Sequence, residues 1–367
     1  MALKKVLVVG PWGATGGVHT FMRNLCIHSN LKESWEFQQF NISRPPKKVS
    51  DNHHYNFLQS DPSRLFKSLF VTGRNAARYP IHVHASDLLQ IQSSDYYSFW
   101  EAMAYAKLAK LLSKPVVVRF GGIFDQFYAA SSEREQHLIR RALLFPDAVI
   151  VQSSSWKTFF KQFIPEERLN IVPNAVPVPP PMPDRSERKG PVTALFICTN
   201  DAKRKGIDTV LKAVAKLKDR VRFIFVAVNE SVRALIKQHG LENDIELHDP
   251  VSNQQMKQIF YPRADIFLLP SLGEGFPNSM LEAMAAGLPV VTTPVGAIPD
   301  VLTANVHGFL NDPADSSAFI RDVSFLADNP VERLAMGARC YDLVSSQYNL
   351  DVVFARFDQL WNRLLHH

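Results

Sequence analysis

The chain has 367 residues, of which 46% are hydrophobic and 21% charged, with a formal net charge of +6. That is enough for two packed cores and excludes a disordered or fibrous chain. No apolar run reaches the roughly 18 to 20 residues that span a bilayer.

Lysines precede a short apolar run in MALKKVLVVGPWG. The run stops at Pro11-Trp12, so it reads as a first strand rather than a cleaved leader. The cysteines, Cys26, Cys198 and Cys340, are scattered and odd in number. They show no metal spacing and no disulfide framework, which predicts a reducing, cytoplasmic setting. Residues 1–180 hold 21 Lys and Arg against 13 Asp and Glu, and residues 181–367 hold 20 against 22. A basic first half fits an anionic partner, a phospholipid surface, a lipid-linked phosphate or a nucleic acid, and equally a merely soluble surface.

In chain order, Val6–Val9 reads as a strand and Val18 to Asn30 as an amphipathic helix. Strands are predicted at Glu36–Ile42, Ile81–His84, Pro115–Val118, Ala148–Gln152 and Leu169–Val172. Helices are predicted at Tyr96–Leu112 and Glu133–Leu144. Six prolines, Pro173, Pro177, Pro179, Pro180, Pro181 and Pro183, then exclude a helix or central strand. Residues 173–190 read as a semi-rigid linker between a first domain, 1–172, and a second, 191–349. The second half predicts strands near Val192–Cys198, Arg222–Val228, Asp244–Leu247, Asp265–Leu269, Pro289–Thr292 and His307–Leu310. Helices start near Ile207, Ser231, Asn253, Ser279, Asp315 and Val331. Strand–helix alternation in both halves predicts an α/β fold with two Rossmann-like, doubly wound parallel sheets. Ligands of such sheets sit at the carboxyl ends of the strands, here expected in an interdomain cleft.

Three loops fall at such ends. Gly10-Pro-Trp-Gly13-Ala-Thr-Gly16-Gly17 joins the first strand and helix, where glycines admit close backbone approach. Its Gly10-x-x-Gly13-x-x-Gly16 spacing resembles the short-chain dehydrogenase fingerprint. An NADP-dependent oxidoreductase is therefore an alternative, with Arg44 for a 2′-phosphate. Against it, no acidic residue ends the second strand and no tyrosine is followed four positions later by a lysine. The second loop, Thr199-Asn200-Asp201-Ala202-Lys203-Arg204-Lys205-Gly206, opens a helix with cations suited to a diphosphate, although Lys203 reads as solvated. The third is Pro270-Ser-Leu-Gly-Glu274-Gly275-Phe276-Pro277-Asn278-Ser279, which leads into a helix carrying Glu282 and ending at Gly287. Pro277 stops the strand, Asn278 or Ser279 is placed to cap the helix, and the helix start suits an anion. Ser279-x-x-Glu282 also fits a capping box, which would make Glu282 purely structural.

The glutamates of Glu274-Gly-Phe-Pro-Asn-Ser-Met-Leu-Glu282, with seven residues between them, resemble the hallmark of retaining family-4 glycosyltransferases of the GT-B fold. AMAAGLPVV, TTPVGAIPDVL, HGFLNDPAD, Gly16-Gly17-Val18, Val172-Pro173-Asn174 and Lys205-Gly206 extend the resemblance, which is strong over residues 190–312. It implies that Glu282 holds the nucleotide ribose and Glu274 the donor sugar. It implies that Lys205 and Arg204 neutralise the leaving diphosphate. Gly275, Phe276, Pro277, Asn278 and Ser279 would line the donor, with Asn200 near the phosphates. Gly16 and Gly17 would approach the diphosphate and acceptor. The family often has Gly-Arg where Thr199-Asn200 stands and a histidine where Phe120 stands. Arg119, followed by Phe120 and Gly121, either substitutes for that histidine or is a solvated strand end. His84 is a further candidate for the first domain's cleft.

The resemblance implies a nucleotide-sugar donor, a saccharide or lipid-linked acceptor, no cofactor and no nucleic acid. No Asp-x-Asp occurs, so no metal is expected through that motif. Bacterial surface polysaccharide or lipopolysaccharide assembly on the cytoplasmic face is the implied setting. Anionic membrane contact is expected through the basic first domain, with Leu65–Phe70 and Tyr96–Leu112 as candidates beside Lys67, Lys107 and Lys110. Alternatives are a sugar-nucleotide epimerase or hydrolase, a silent sugar-nucleotide-binding subunit, and a glycosidase using Glu274 and Glu282. The amphipathic end, Asp351–Leu365, is expected to pack back on the first domain.

Overall fold

The computed structural model describes residues 3–12, 17–43, 62–94, 96–122, 124–179, 185, 190–198 and 201–366. The chain divides into two compact units. The first comprises Met1–Gln152, Lys157–Val172 and Phe354–His367, and the second Ser153–Trp156 and Pro173–Val353.

In the first unit six parallel strands run β1 (Lys4–Gly10), β2 (Trp35–Asn41), β3 (Leu88–Ser93), β4 (Val116–Phe120), β5 (Ala148–Val151) and β6 (Leu169–Ile171). Their spatial order is β2-β1-β3-β4-β5-β6. The helices in chain order are α1 (Gly17–Ile27), α2 (Ser29–Lys32), α3 (Pro62–His84), α4 (Tyr96–Leu111), α5 (Phe124–Ala130), α6 (Glu133–Ala142) and α7 (Ser154–Phe160), of which Ser154, Ser155 and Trp156 count with the second unit. Val6, Leu7, Val8 and Val9 are wholly buried, as a strand covered on both faces requires.

One strand differs from expectation. Ile81–His84 is the last turn of α3, and the third strand is Leu88–Ser93. The alternation Ile-His-Val-His after Pro80 mimics a strand, yet Tyr79 and Val83, four apart on the helix, are the buried pair while Ile81 is 70% exposed. His84 is therefore an exposed residue at a helix end, not a strand-end ligand. The true strand is masked by Gln90 and Gln92, both buried; Gln90 Oε1 accepts a hydrogen bond from Trp361 Nε1 at 3.2 Å. The predicted first helix breaks near His28 into α1 and α2.

The second unit holds β7 (Val192–Ile197), β8 (Val221–Val226), β9 (Ile245–Leu247), β10 (Ile266–Leu269), β11 (Val290–Thr292) and β12 (Gly308–Leu310), again all parallel. Their order is β12-β11-β10-β7-β8-β9. The chain moves outward from β7 in one direction and then from β10 in the other, so the switch point lies between β7 and β10. Helices α8 (Ile207–Leu217), α9 (Glu230–Gln238), α10 (Asn253–Gln255), α11 (Tyr261–Arg263), α12 (Asn278–Ala285), α13 (Ile298–Val301), α14 (Ser316–Asp328) and α15 (Pro330–Gln347) connect the strands. Two apolar clusters, one around Phe267, Met280 and Val290 and one around Phe196, Leu211 and Phe225, form its core.

The Pro-rich segment is not a linker along its whole length. Val176 bridges Asn349, its amide bonds Tyr348 O at 3.0 Å, and it is buried, so residues 173–179 are built into the second unit. Of the rest, 180–184 and 186–189 lie outside the described residues. The last helix, α16 (Leu350–Leu365), buries Phe354, Phe357 and Trp361. Phe354 and Phe357 pack on Phe21, and Trp35 Nε1 donates to Asp358 at 2.7 Å. Among the described residues no helix is long and apolar enough to cross a membrane.

Candidate functional site

Two loops of the second unit meet at the switch point, after β7 and after β10. In the first, Arg204 Nε donates to Asp201 Oδ2 at 2.9 Å and Lys205 N to Asp201 O at 3.1 Å, which coils the chain into α8. Gly206 completes the turn with φ at +80°, and a Cβ there would stand 1.9 Å from Pro270 O. Only glycine allows this contact between the loops. Leu272 N then bonds Arg204 O at 2.7 Å, and Arg204 Nη1 donates to Gly273 O at 2.5 Å.

This weave delivers Glu274 to the cations. Lys205 Nζ donates to Glu274 Oε1 at 2.6 Å, Ser271 Oγ donates to the same oxygen at 2.7 Å, and Arg204 Nη1 stands 3.6 Å from Oε2. Lys205 and Glu274 are each 8% exposed, so the pair is nearly desolvated. Lys203, by contrast, is exposed. A third loop closes behind: Thr293 Oγ1 donates to Ser271 O at 2.5 Å and Ala297 N to Gly275 O at 3.0 Å. Gly296, at φ +58°, leaves only 1.9 Å between a built Cβ and Glu274 O.

Phe276 is buried against Tyr348, and its carbonyl accepts from Asn174 Nδ2 at 3.1 Å. The same Asn174 amide donates to Asn278 Oδ1 at 2.6 Å. Pro277 precedes α12, and no side chain caps that helix start. Neither Asn278 nor Ser279 caps it, and the Ser279–Glu282 capping box does not form. Instead Glu282 Oε2 accepts from Tyr261 Oη at 3.0 Å. Met280 N bonds Pro277 O at 3.2 Å, so the first two amides of α12, those of Asn278 and Ser279, are the ones a helix N-terminus leaves to solvent or ligand.

Burial raises the Glu282 carboxyl above the usual carboxylate range, and the Lys257 charge and the Tyr261 hydrogen bond pull it partly back. With the folded pKa raised, the ionised form is the one the fold penalises. The contribution is favourable at acid pH and is lost as pH rises through the folded pKa. Glu282→Gln is therefore expected to melt at or above the parent temperature at pH 7. The difference should vanish near about pH 4, where both side chains approach neutrality. Melting curves at the two pH values check this.

In the first unit Gly17 opens α1, while Gly13, Gly16 and Arg44 lie outside the described residues, as do Thr199 and Asn200 of the second. Arg119 is not a solvated strand end. It is 1% exposed, its guanidinium sits 3.9 Å from the Phe21 ring centroid, and burial lowers its pKa to about 9, still charged at neutral pH. Phe120 is a core residue, 3% exposed, with its ring against Phe99, Phe124 and Phe160. Gly121 N bonds Ser93 O at 3.0 Å, continuing the β3–β4 pairing. Sequence reasoning missed Tyr261, Ser271 and Asn174 as partners of the site. The apolar context of Tyr261 and Ser271 carried no signal, and Asn174 stood out only within Val-Pro-Asn. Among the described residues no group of three metal-ligating side chains converges.

Residues 191–329 match the family model described as Glycosyl transferases group 1. That segment contains Arg204, Lys205, Glu274 and Glu282. The chain is 29% identical over 180 residues to the putative colanic acid biosynthesis glycosyltransferase WcaL of Escherichia coli, covering 45% of this chain and 44% of that protein. The match thus spans less than half of that relative. Among solved structures, a sucrose-phosphate synthase of Thermosynechococcus elongatus superposes with a TM-score of 0.77 at 16% identity, covering 99% of both chains. Anabaena Alr3699/HepE in complex with UDP gives 0.73 at 16% identity, covering 98% of this chain and 100% of that one. The fold is GT-B: two Rossmann-like α/β units with parallel sheets.

Proposed function

We propose that the chain is a retaining, family-4-type glycosyltransferase that moves a sugar from a nucleoside-diphosphate sugar to a saccharide or lipid-linked hydroxyl. The observation that carries the reading is the Arg204–Lys205–Glu274 cluster at the β7/β10 switch point. Fixed cations and the open amides of α12 suit a diphosphate, and a buried carboxylate beside them suits sugar hydroxyls. In transfer, the acceptor oxygen bonds the anomeric carbon on the face the diphosphate leaves. The carbon–oxygen bond to the diphosphate breaks, and the acceptor proton passes to a phosphate oxygen. Lys205 and Arg204 stabilise the charge growing on that leaving group without reorganising. Glu282 would hold the ribose and Glu274 the sugar. We assign charge neutralisation to these cations rather than to a divalent ion, and surface polysaccharide assembly as the setting, in line with the WcaL likeness.

The test is a screen of UDP-, GDP- and ADP-sugars with EDTA present. One donor is expected to stabilise the fold, by about 2.7 kcal/mol at a hundredfold excess over its Kd, and to yield product of unchanged anomeric configuration with a saccharide acceptor. Stabilisation by none of them sinks the donor reading. An inverted product sinks retention, and free sugar without acceptor points to the hydrolase alternative.

Membrane contact through the first unit is proposed on a different observation. Tyr97, Trp100, Lys107 and Leu111 lie along one exposed face of α4. The side chains of Leu65–Phe70 lie outside the described residues. The protein is expected to sediment with phosphatidylglycerol vesicles, and Trp100→Ala to weaken that binding; sedimentation unchanged by Trp100→Ala would reject the assigned face.

A further inference from the structure

The helical segment leading to β10 changes pitch. Asn253–Gln255 is α-helical, Met256–Phe260 is a π-helical turn, and Tyr261–Arg263 resumes the α-helix. The Tyr261 amide itself makes the wide bond of that turn, to Met256 O. One inserted residue rotates everything after it by about 100° relative to an unbroken α-helix. The turn therefore sets which way Tyr261 faces. Its ring is 1% exposed, edge-on to Phe267, and its hydroxyl donates to Glu282 Oε2 at 3.0 Å.

A buried tyrosine hydroxyl needs a partner, but a carboxylate is a costly one. Burial raises the Tyr261 phenol well above its ordinary value, so it stays protonated and remains a donor. A phenol that has spent its proton on Glu282 obliges that oxygen to accept. The hydrogen bond favours the ionised carboxylate against the cost of burial, and the remaining lone pairs are able to receive two hydroxyl protons.

We infer that Tyr261 is a positioning residue that locks Glu282 as the acceptor of a vicinal diol, the ribose 2′- and 3′-hydroxyls of the donor nucleotide. This rests on the donor-site reading above and adds to it the device that makes the site selective for ribose.

The test compares calorimetric Kd values of UDP, GDP and ADP with those of their 2′,3′-dideoxy analogues, for the wild type and Tyr261→Phe. Tyr261→Phe is expected to weaken the best-bound ribonucleotide roughly tenfold, the value of one hydrogen bond to a charged group, and to leave its dideoxy analogue unchanged. The acid limb of ribonucleotide binding should also move to higher pH. Of the two groups that hold the Glu282 pKa down, Lys257 remains and the Tyr261 hydroxyl is lost. Equal weakening of both nucleotides marks a merely structural tyrosine and overturns the inference, as does no weakening at all. If the wild type binds none of UDP, GDP and ADP, the donor reading fails and this inference with it. If it binds them and the variant matches it, only this inference fails. Where Tyr261→Phe does not fold, Tyr261→Met in the same assay reads the same split.

Discussion

Lys205→Ala is expected to cut sugar transfer by about 10²- to 10³-fold, the range for removing one charge-stabilising donor from an active site. It should also lower stability by about 3–5 kcal/mol, because it strands a carboxylate in a nearly desolvated place. Glu274 is 8% exposed, and without Lys205 its Oε1 keeps only the Ser271 hydroxyl. Arg204 stands 3.6 Å from the other oxygen, which places the loss toward the lower end of that range. The two effects separate in the double variant. Lys205→Ala with Glu274→Gln removes the stranded charge, so stability should largely return while transfer stays low. The measurements are urea unfolding and donor turnover for both single variants and the double. Recovery of activity together with stability would show that Lys205 acts only by balancing Glu274.

Gly206→Ala is the second large effect. Two costs add at this position: a left-handed φ of +80°, and a Cβ 1.9 Å from Pro270 O, a backbone atom that cannot swing aside. Left-handed backbone costs a non-glycine residue about 1–2 kcal/mol, and forced overpacking about 1–3 kcal/mol more. Gly240 supplies the internal comparison, since it has φ +65° with nothing within 4 Å of its built Cβ. Gly240→Ala should therefore show the backbone cost alone, about 1–2 kcal/mol. Gly206→Ala should lose at least about 2 kcal/mol and weaken nucleotide binding, because the shift falls on Arg204, Lys205 and the Glu274 loop together. Equal losses in the two variants by thermal unfolding would show that the loop contact yields freely. Gly296 meets the same loop at another point, its built Cβ 1.9 Å from Glu274 O.

Most strands were legible as unbroken apolar runs: Val-Leu-Val-Val of β1, Ile-Phe-Leu-Leu of β10 and Val-Val-Thr of β11. Parallel strands covered on both faces have no polar side to present, so such runs carry their own signal. β3 broke the pattern. The Oε1 of its Gln90 is met by Trp361, 271 residues away, so local polarity argued against a strand that distant packing stabilises. The Ile81–His84 alternation failed for the opposite reason, because helix burial of Tyr79 and Val83 overrode a period of two. The glutamates and the Arg204-Lys205 pair were legible as residue types at strand ends. The capping box at Ser279 and Glu282 was a spacing coincidence: the helix starts at Asn278 after Pro277, and Glu282 accepts from the Tyr261 hydroxyl instead.

Residue order alone therefore settled the strand–helix alternation, the helix start after Gly206 and the chemistry available at the ends of β7 and β10. Those features are local: each is written in a few adjacent side chains and their backbone preferences. Folding settled the partners. Lys205 finds Glu274 across 69 residues, Tyr261 takes Glu282 across 21, and Arg119 is drawn under Phe21 instead of into solvent. Each such pairing depends on strand register, on a helix's phase and on how closely two loops approach. Those quantities arise when distant segments pack, so no short stretch of residues encodes them.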